Sequence, residues 1–464
     1  MKKRIAIIGA GSVEFTRKLV RDILCVPELE DTEFRFIDVN TRNLDMITQL
    51  VEREIQFNRK PAVIMAATDR RKGLEGAEYV FNVTRIGGLE AFRLDIDIPL
   101  KYGVDQCVGD TICAGGIMYG QRNIPQILDF CDDLRAVAED NVLLLNYANP
   151  NAMNTWAANL YGGVPTIGLC HGVQHGHRQI ADVIALLVNE GKQSGDSGYI
   201  PVTMQDVDII CAGINHQTWY IQVLYNGEDW CDRLLEGFEQ HPEYRLTEKV
   251  RIDVLRRFGY YSTESNGHLS EYLPWYRKRP AEIAQWIDLS DWIHGETGGY
   301  LRFSTEGHQR FNADFSRWMA EEPLTFTPEI RTNEHGSYII EALETGRIYR
   351  GHFNVINAGT ITNLPDDCVV EVPGYIDRNG VSISKIGDLP LGCAAVCSSS
   401  VHVQRLAVEA AVHGDVALLK QAMMMDPLVG AVCTTSEISR MVDEMLLAEA
   451  QWLPQYQGAL SAAK

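Results

Sequence analysis

Gly9-Ala10-Gly11-Ser12 directly follows the apolar run RIAII and directly precedes FTRKLVRDIL, whose apolar residues Phe15, Leu19, Ile23 and Leu24 recur at helical spacing. A glycine turn between strand and helix lets backbone N–H groups at the helix start face a pyrophosphate. The third glycine of the usual fingerprint is replaced by Glu14, a departure from the ordinary pattern. Asp38 ends a second strand-like run, FRFIDVN, where a carboxylate bonds the ribose 2′-hydroxyl and repels a 2′-phosphate, so NAD is preferred over NADP. Gly9, Gly11, Ser12 and Asp38 are thus candidate dinucleotide contacts. The plainer alternative is a tight strand-to-helix turn with no ligand.

Four later segments combine apolar strands with dense polar residues: VGDTICAGG (108–116), NYANPNAMNT (146–155), GLCHGVQ (168–174) and GINH (213–216). They offer Asp110, Asn149, Cys170, His171 and His216. Spacing alone does not make a metal site of Cys170 and His216, since a cysteine in a buried strand is usually packing. The plainer alternative for Asp110 is a turn carboxylate capping the next element, and for Asn149 an Asn-Pro turn. His175 and His177 read as solvated residues at a helix start rather than ligands.

Strand- and helix-like stretches alternate up to about residue 200, through EYVFNVT, NVLLLNYANP and VPTIGLCHG. This predicts an α/β fold: a Rossmann-like, doubly wound and mostly parallel sheet over residues 1–200, with ligands at the carboxyl edge of its strands. From 201 to 464 the texture changes. DVDIICAGINHQTWYIQVLYNG alternates like antiparallel strands, and helical stretches follow, the last from Arg405 to Leu453 with a break near Asp426-Pro427. The whole matches a lactate/malate dehydrogenase-like arrangement with a carboxyl-terminal mixed α+β part for catalysis, substrate and oligomerisation.

The 464 residues are 45% hydrophobic and 22% charged, an ordinary globular composition with ample length for a core. A formal charge of -20 repels phosphate backbones and anionic membranes, which argues against nucleic-acid and membrane partners. Gly9 and Gly11 interrupt the amino-terminal apolar run, so it reads as a strand rather than a signal peptide. No apolar stretch reaches the roughly 18 residues needed to span a bilayer. Eleven scattered cysteines without a CxxC pair suit a reducing cytoplasm.

In order and wording the polar segments, with NLPDDCVVEVP, AMMMDP and WLP further on, resemble the family-four glycoside hydrolases along nearly the whole chain. The likeness is greatest to their bacterial α-galactosidase branch, worded similarly to GADTxGPGG, LNYxNPMAMNTW, GLCHSVQ and AGINH. The resemblance implies an NAD- and manganese-dependent glycosidase acting on a small sugar or α-glycoside, cytoplasmic and homodimeric or homotetrameric. Cys170 and His216 would hold the manganese, or another divalent ion, against the C2 and C3 oxygens of the sugar. Hydride leaves C3, a base removes the C2 proton, the C1 substituent is eliminated, water adds and the hydride returns, without paired carboxylates. In the phospho-sugar branch an aspartate acid directly follows the metal cysteine; here His171 stands there, able to donate a proton near neutral pH. The base of that branch is a tyrosine in a segment similar to ESNGHLSEYLPWY (264–276), where register allows His268 or Tyr272. Asp110 matches an acidic position that strengthens the base, and Asn149 a substrate-binding asparagine.

The substrate is less sharply marked. The branch typically reads Cys-His-Ser, whereas this chain reads Cys170-His171-Gly172. A vacated serine leaves room for an α-glucuronide, galacturonide or sulfonated glycoside, or for an α-glucoside. Arg85 and Arg93, in TRIGGLEAFRLD, are candidates to pair with an anionic substituent, surface arginines on a helix being the plainer account. The rival from another class is a lactate/malate-type NAD dehydrogenase.

Overall fold

The computed structural model describes residues 2–462. Its strands are β1 (Arg4–Ile8), β2 (Glu33–Ile37), β3 (Val63–Ala67), β4 (Tyr79–Asn82), β5 (Leu143–Asn146), β6 (Thr166–Gly168), β7 (Val207–Ile214), β8 (Gln217–Tyr225), β9 (Glu228–Asp229), β10 (Tyr261–Ser262), β11 (Tyr349–Ile356), β12 (Val369–Asp377) and β13 (Gly380–Ile383). β3-β2-β1-β4-β5-β6 are all parallel neighbours, the doubly wound order of a dinucleotide fold. Ile5 to Ile8 are all buried, as expected of a parallel strand covered on both faces.

The sheet does not stop at β6. β11 pairs with it in the antiparallel sense, Asn354 opposite Gly168, and β12, β7, β8 and β10 continue the same sheet. The connection near residue 200 is therefore bridged by strand pairing made much later in the chain. The cores cross it as well: Ile5, Leu19 and Phe36 pack in one cluster with Ile339, Ile340 and Phe353. A second cluster joins Ile98 and Met153 to Trp219, Val370 and Met441. All eleven cysteines are unpaired, and no described helix is long and apolar enough to cross a membrane.

The carboxyl edges of β1, β4, β5, β6 and β7 meet around one opening, where the strand order reverses between β1 and β4. Buried ions fasten the helices behind it. Arg122, in the helix Cys113–Val137, donates to both oxygens of Asp95 at 2.8 and 2.6 Å and also to Glu449. All three side chains are essentially inaccessible. Removing one partner from such a cluster leaves uncompensated buried charge, so Arg122→Ala is expected to lower unfolding stability by about 3–5 kcal/mol. Urea denaturation checks it; a change within about 0.5 kcal/mol, the range of an ordinary surface substitution, would refute the structural role.

Candidate active site

A cavity of about 550 Å³ opens at these strand edges, lined among others by Ser12, Arg85, Asp110, Asn149, Cys170, His171, His216, Glu264 and His268. A larger one, about 850 Å³, lies beside other residues of the helix Gly172–Val188 and has His177 in its wall, but none of these groups.

At the glycine turn, whose Ser12 lines the cavity, Gly9 has a φ of +90°, and a Cβ on it would sit 3.1 Å from the Val83 carbonyl. The Gly11 N–H donates to Asp38 Oδ2 at 2.7 Å, and a Cβ on Gly11 would lie 2.6 Å from that oxygen. Both glycines are thus required by close approach, and Asp38 ties the turn to the end of β2. Asp38 Oδ1 also accepts from Asn40 N at 2.8 Å. Glu14 is exposed and pairs with Lys18 at 2.8 Å, so the irregular position of the fingerprint faces solvent and costs the turn nothing.

At the other end a relay fixes His216. Thr111 Oγ1 donates to Asp110 Oδ1 at 2.9 Å and lies 2.7 Å from His216 Nδ1. With its proton committed to Asp110, the hydroxyl accepts from Nδ1–H, which leaves the Nε2 lone pair free for a metal. Asn149 Nδ2 donates to Asp110 Oδ2 at 2.8 Å, and Arg85 Nη2 stands 3.9 Å from the same oxygen. Burial works to raise the Asp110 carboxyl, but His268, His216 and Arg85 together hold it below the usual carboxylate range. Arg85 is itself caged by the rings of Phe92, Tyr119 and Tyr300.

One donor atom each from Cys170, His216 and Glu264 lies within 4.8 Å of the others, and Asp110, His216 and His268 form a second such group. The Gly172 N–H points at Cys170 Sγ from 3.4 Å. Without an ion, burial pushes the thiol well up, and the Glu264 charge adds to this; a metal would take the sulfur as thiolate. The donor set of sulfur, imidazole and carboxylate fits a divalent cation.

His171 borders the cavity with its ring between those of Tyr147 and His335, each 6.0 Å away. Its Nε2 meets Glu334 Oε2 at 2.9 Å. Burial alone would lower His171; the Glu334 carboxylate outweighs it and raises the imidazole above its ordinary value.

Of the two candidate bases, His268 lines the cavity, held by Ser265 Oγ at 3.0 Å from Nδ1. Tyr272, one turn on, is buried behind His216 beside Thr111 and Gln404, its ring 6.2 Å from that of His268. Arg93 departs from expectation more plainly. Its helix, Gly88–Lys101, buries Ala91, Phe92, Asp95 and Ile96, so Arg93 points to solvent on the opposite face. His175 also departs: it is half-buried and borders the cavity, because Gly172 and His175 share the inward face of their helix. Nothing in the sequence singles out Glu264, Glu334, Tyr300 or Trp292, the last also in the cavity wall, although Glu264 opens the segment that carries His268 and Tyr272.

Models of the family 4 glycosyl hydrolases match residues 4–186, and of their carboxyl-terminal domain residues 211–429. An α-galactosidase of Rhizobium meliloti is 58% identical over 99% of this chain and 91% of its own length. One of Bacillus subtilis is 31% identical over 98% of this chain and 100% of its own. The 6-phospho-β-glucosidase of Thermotoga maritima, solved with manganese, NAD+ and glucose-6-phosphate, superposes with a TM-score of 0.74 at 23% identity, covering 97% of this chain and 99% of that one.

The place of Asp38 makes the nucleotide end testable. Asp38→Ala is expected to weaken NAD binding about ten- to a hundredfold through lost charge-assisted hydrogen bonds, with sugar affinity little changed. Titration by protein fluorescence reads both, and undiminished NAD affinity would remove Asp38 from the site.

Proposed function

The chain belongs to family 4 of the glycosyl hydrolases, and from that premise we propose that it is an NAD- and divalent-metal-dependent α-galactosidase. One observation carries the reading: Cys170 and His216 converge in the same cavity that Ser12 of the glycine turn borders. The relatives at 58% and 31% identity, both α-galactosidases, supply the substrate class.

Gly9, Gly11, Ser12 and Asp38 would seat NAD, and Cys170 and His216 would hold manganese or a similar ion. Bound there, coenzyme and metal supply reversible hydride transfer at C3 and polarisation of the C2 and C3 oxygens. The protein's own groups do the rest. His268 takes the C2 proton, and Asp110, held anionic, supports the imidazolium that results. Asn149, anchored on Asp110, and the in-plane edge of Arg85 position sugar hydroxyls. His171, oriented by Glu334, protonates the departing C1 oxygen. Residues 1–200 carry the coenzyme half of this site, and 201–464 contribute His216 and His268. The enzyme works in the cytoplasm as a homodimer or homotetramer; a net charge of -20 and unpaired cysteines support that setting.

Nitrophenyl α-galactoside should be hydrolysed only with NAD and Mn2+ present, with no NADH accumulating, and faster than the α-glucoside or α-glucuronide. Full activity in chelated, coenzyme-free protein would exclude the mechanism. Cys170→Ser and His216→Ala are each expected to lower turnover about a hundredfold or more while the protein stays folded. In deuterated water the released galactose should carry deuterium at C2, read by mass spectrometry before spontaneous exchange; hydrolysis of a 3-deoxy substrate at the normal rate would rule out C3 oxidation.

A further inference from the structure

Glu264 follows β10 into the cavity as a carboxylate that faces imidazoles, those of His268, His216 and His175, with no lysine or arginine in an ion pair with it among the described residues. Its side chain is 15% exposed, and His268 Nδ1 stands 4.0 Å away. Among the described residues, its one side-chain hydrogen bond comes from Cys170 Sγ at 3.6 Å. A carboxylate so far removed from water ordinarily has a positive charge or a metal as partner. Metal–oxygen and metal–sulfur bonds of about 2.1 and 2.3 Å place neighbouring donors roughly 3 to 3.6 Å apart. The separation of Cys170 from Glu264 is that of two ligands on one ion, with a His216 nitrogen in the same group.

Gly172 supplies an independent observation. A Cβ there would lie 1.7 Å from Glu264 Oε1 and 2.7 Å from its Cδ. The backbone of Gly172 is not in the left-handed region that calls for glycine, and it simply begins the helix Gly172–Val188. What the missing side chain provides is space for this carboxylate.

We propose that Glu264 is a third protein ligand of the divalent ion held by Cys170 and His216, and that Gly172 is the position that admits it. The inference rests on the metal centre of the proposed function. A hard, anionic oxygen beside a soft thiolate favours Mn2+ relative to Zn2+, which the thiolate and imidazole alone would prefer. The carboxylate also fixes the side of the ion left open to sugar oxygens.

The test is Mn2+ affinity of the full chain with NAD present, read as loss of the free-Mn2+ electron paramagnetic resonance signal. Glu264→Gln is expected to weaken binding about tenfold or more and to shift the Mn2+/Zn2+ preference toward Zn2+. Gly172→Ala should weaken Mn2+ comparably, because its Cβ displaces only the flexible end of Glu264. The double variant should bind no more weakly than Glu264→Gln alone. Retained NAD affinity shows that each variant is folded; if Glu264→Gln is not, Gly172→Ala decides. Wild-type Mn2+ affinity in Glu264→Gln overturns the proposal, even with turnover lost, since Glu264 would then act on the substrate. If Cys170→Ser and His216→Ala also bind Mn2+ normally, the metal centre itself falls; if they lose Mn2+ and Glu264→Gln does not, only the third ligand does.

Discussion

A charge taken out of water must find partners, and Asp110 is the charge around which this site is arranged. It is 3% exposed, and its partners come from separate strand edges. Asn149 follows β5, Arg85 follows β4, and Thr111 connects the carboxylate to His216 at the end of β7. Satisfying one buried carboxylate thus draws together loops from both halves of the chain. It also fixes the ring of His216, the proposed metal ligand, so the electrostatic requirement of the fold and the geometric requirement of the proposed chemistry are met by the same contacts.

Around that charge the cavity divides its labour by polarity. The glycine-turn end is built from backbone N–H groups and one carboxylate, which suits a ligand recognised by hydroxyls and phosphates. The end around Cys170 and His216 holds imidazoles, a thiol and carboxylates that burial and mutual charge move in opposite directions: Asp110 down, Cys170 up, His171 up.

The parallel half of the sheet was legible in the sequence because its signals are local. Apolar runs, glycine turns and a terminal Asp38 each lie within a few residues, and the predicted strand-helix alternation is what the structure shows. Arg93 was legible in principle too, since Ala91, Phe92, Asp95 and Ile96 define the buried face of its helix. By contrast, nothing local announces that β11 adds to β6, because antiparallel partners far apart in the chain leave no shared pattern. Glu264 and Glu334 were hidden for a related reason. In a chain with 62 acidic residues a carboxylate has no signature until the fold sets it against Cys170 or His171.

The strand pairing between β6 and β11 has a consequence for biosynthesis. When the ribosome has released the first two hundred residues, the parallel half of the sheet still lacks the core partners Ile339, Ile340 and Phe353, and β6 is an open edge whose Gly168 awaits Asn354 of β11. An unpaired parallel edge is a template for any passing strand. At about 5–20 residues per second the wait lasts on the order of ten seconds or more. The nascent chain therefore carries a period of vulnerability to mispairing with its neighbours, set by the order in which the strands are synthesised rather than by the strength of the finished fold.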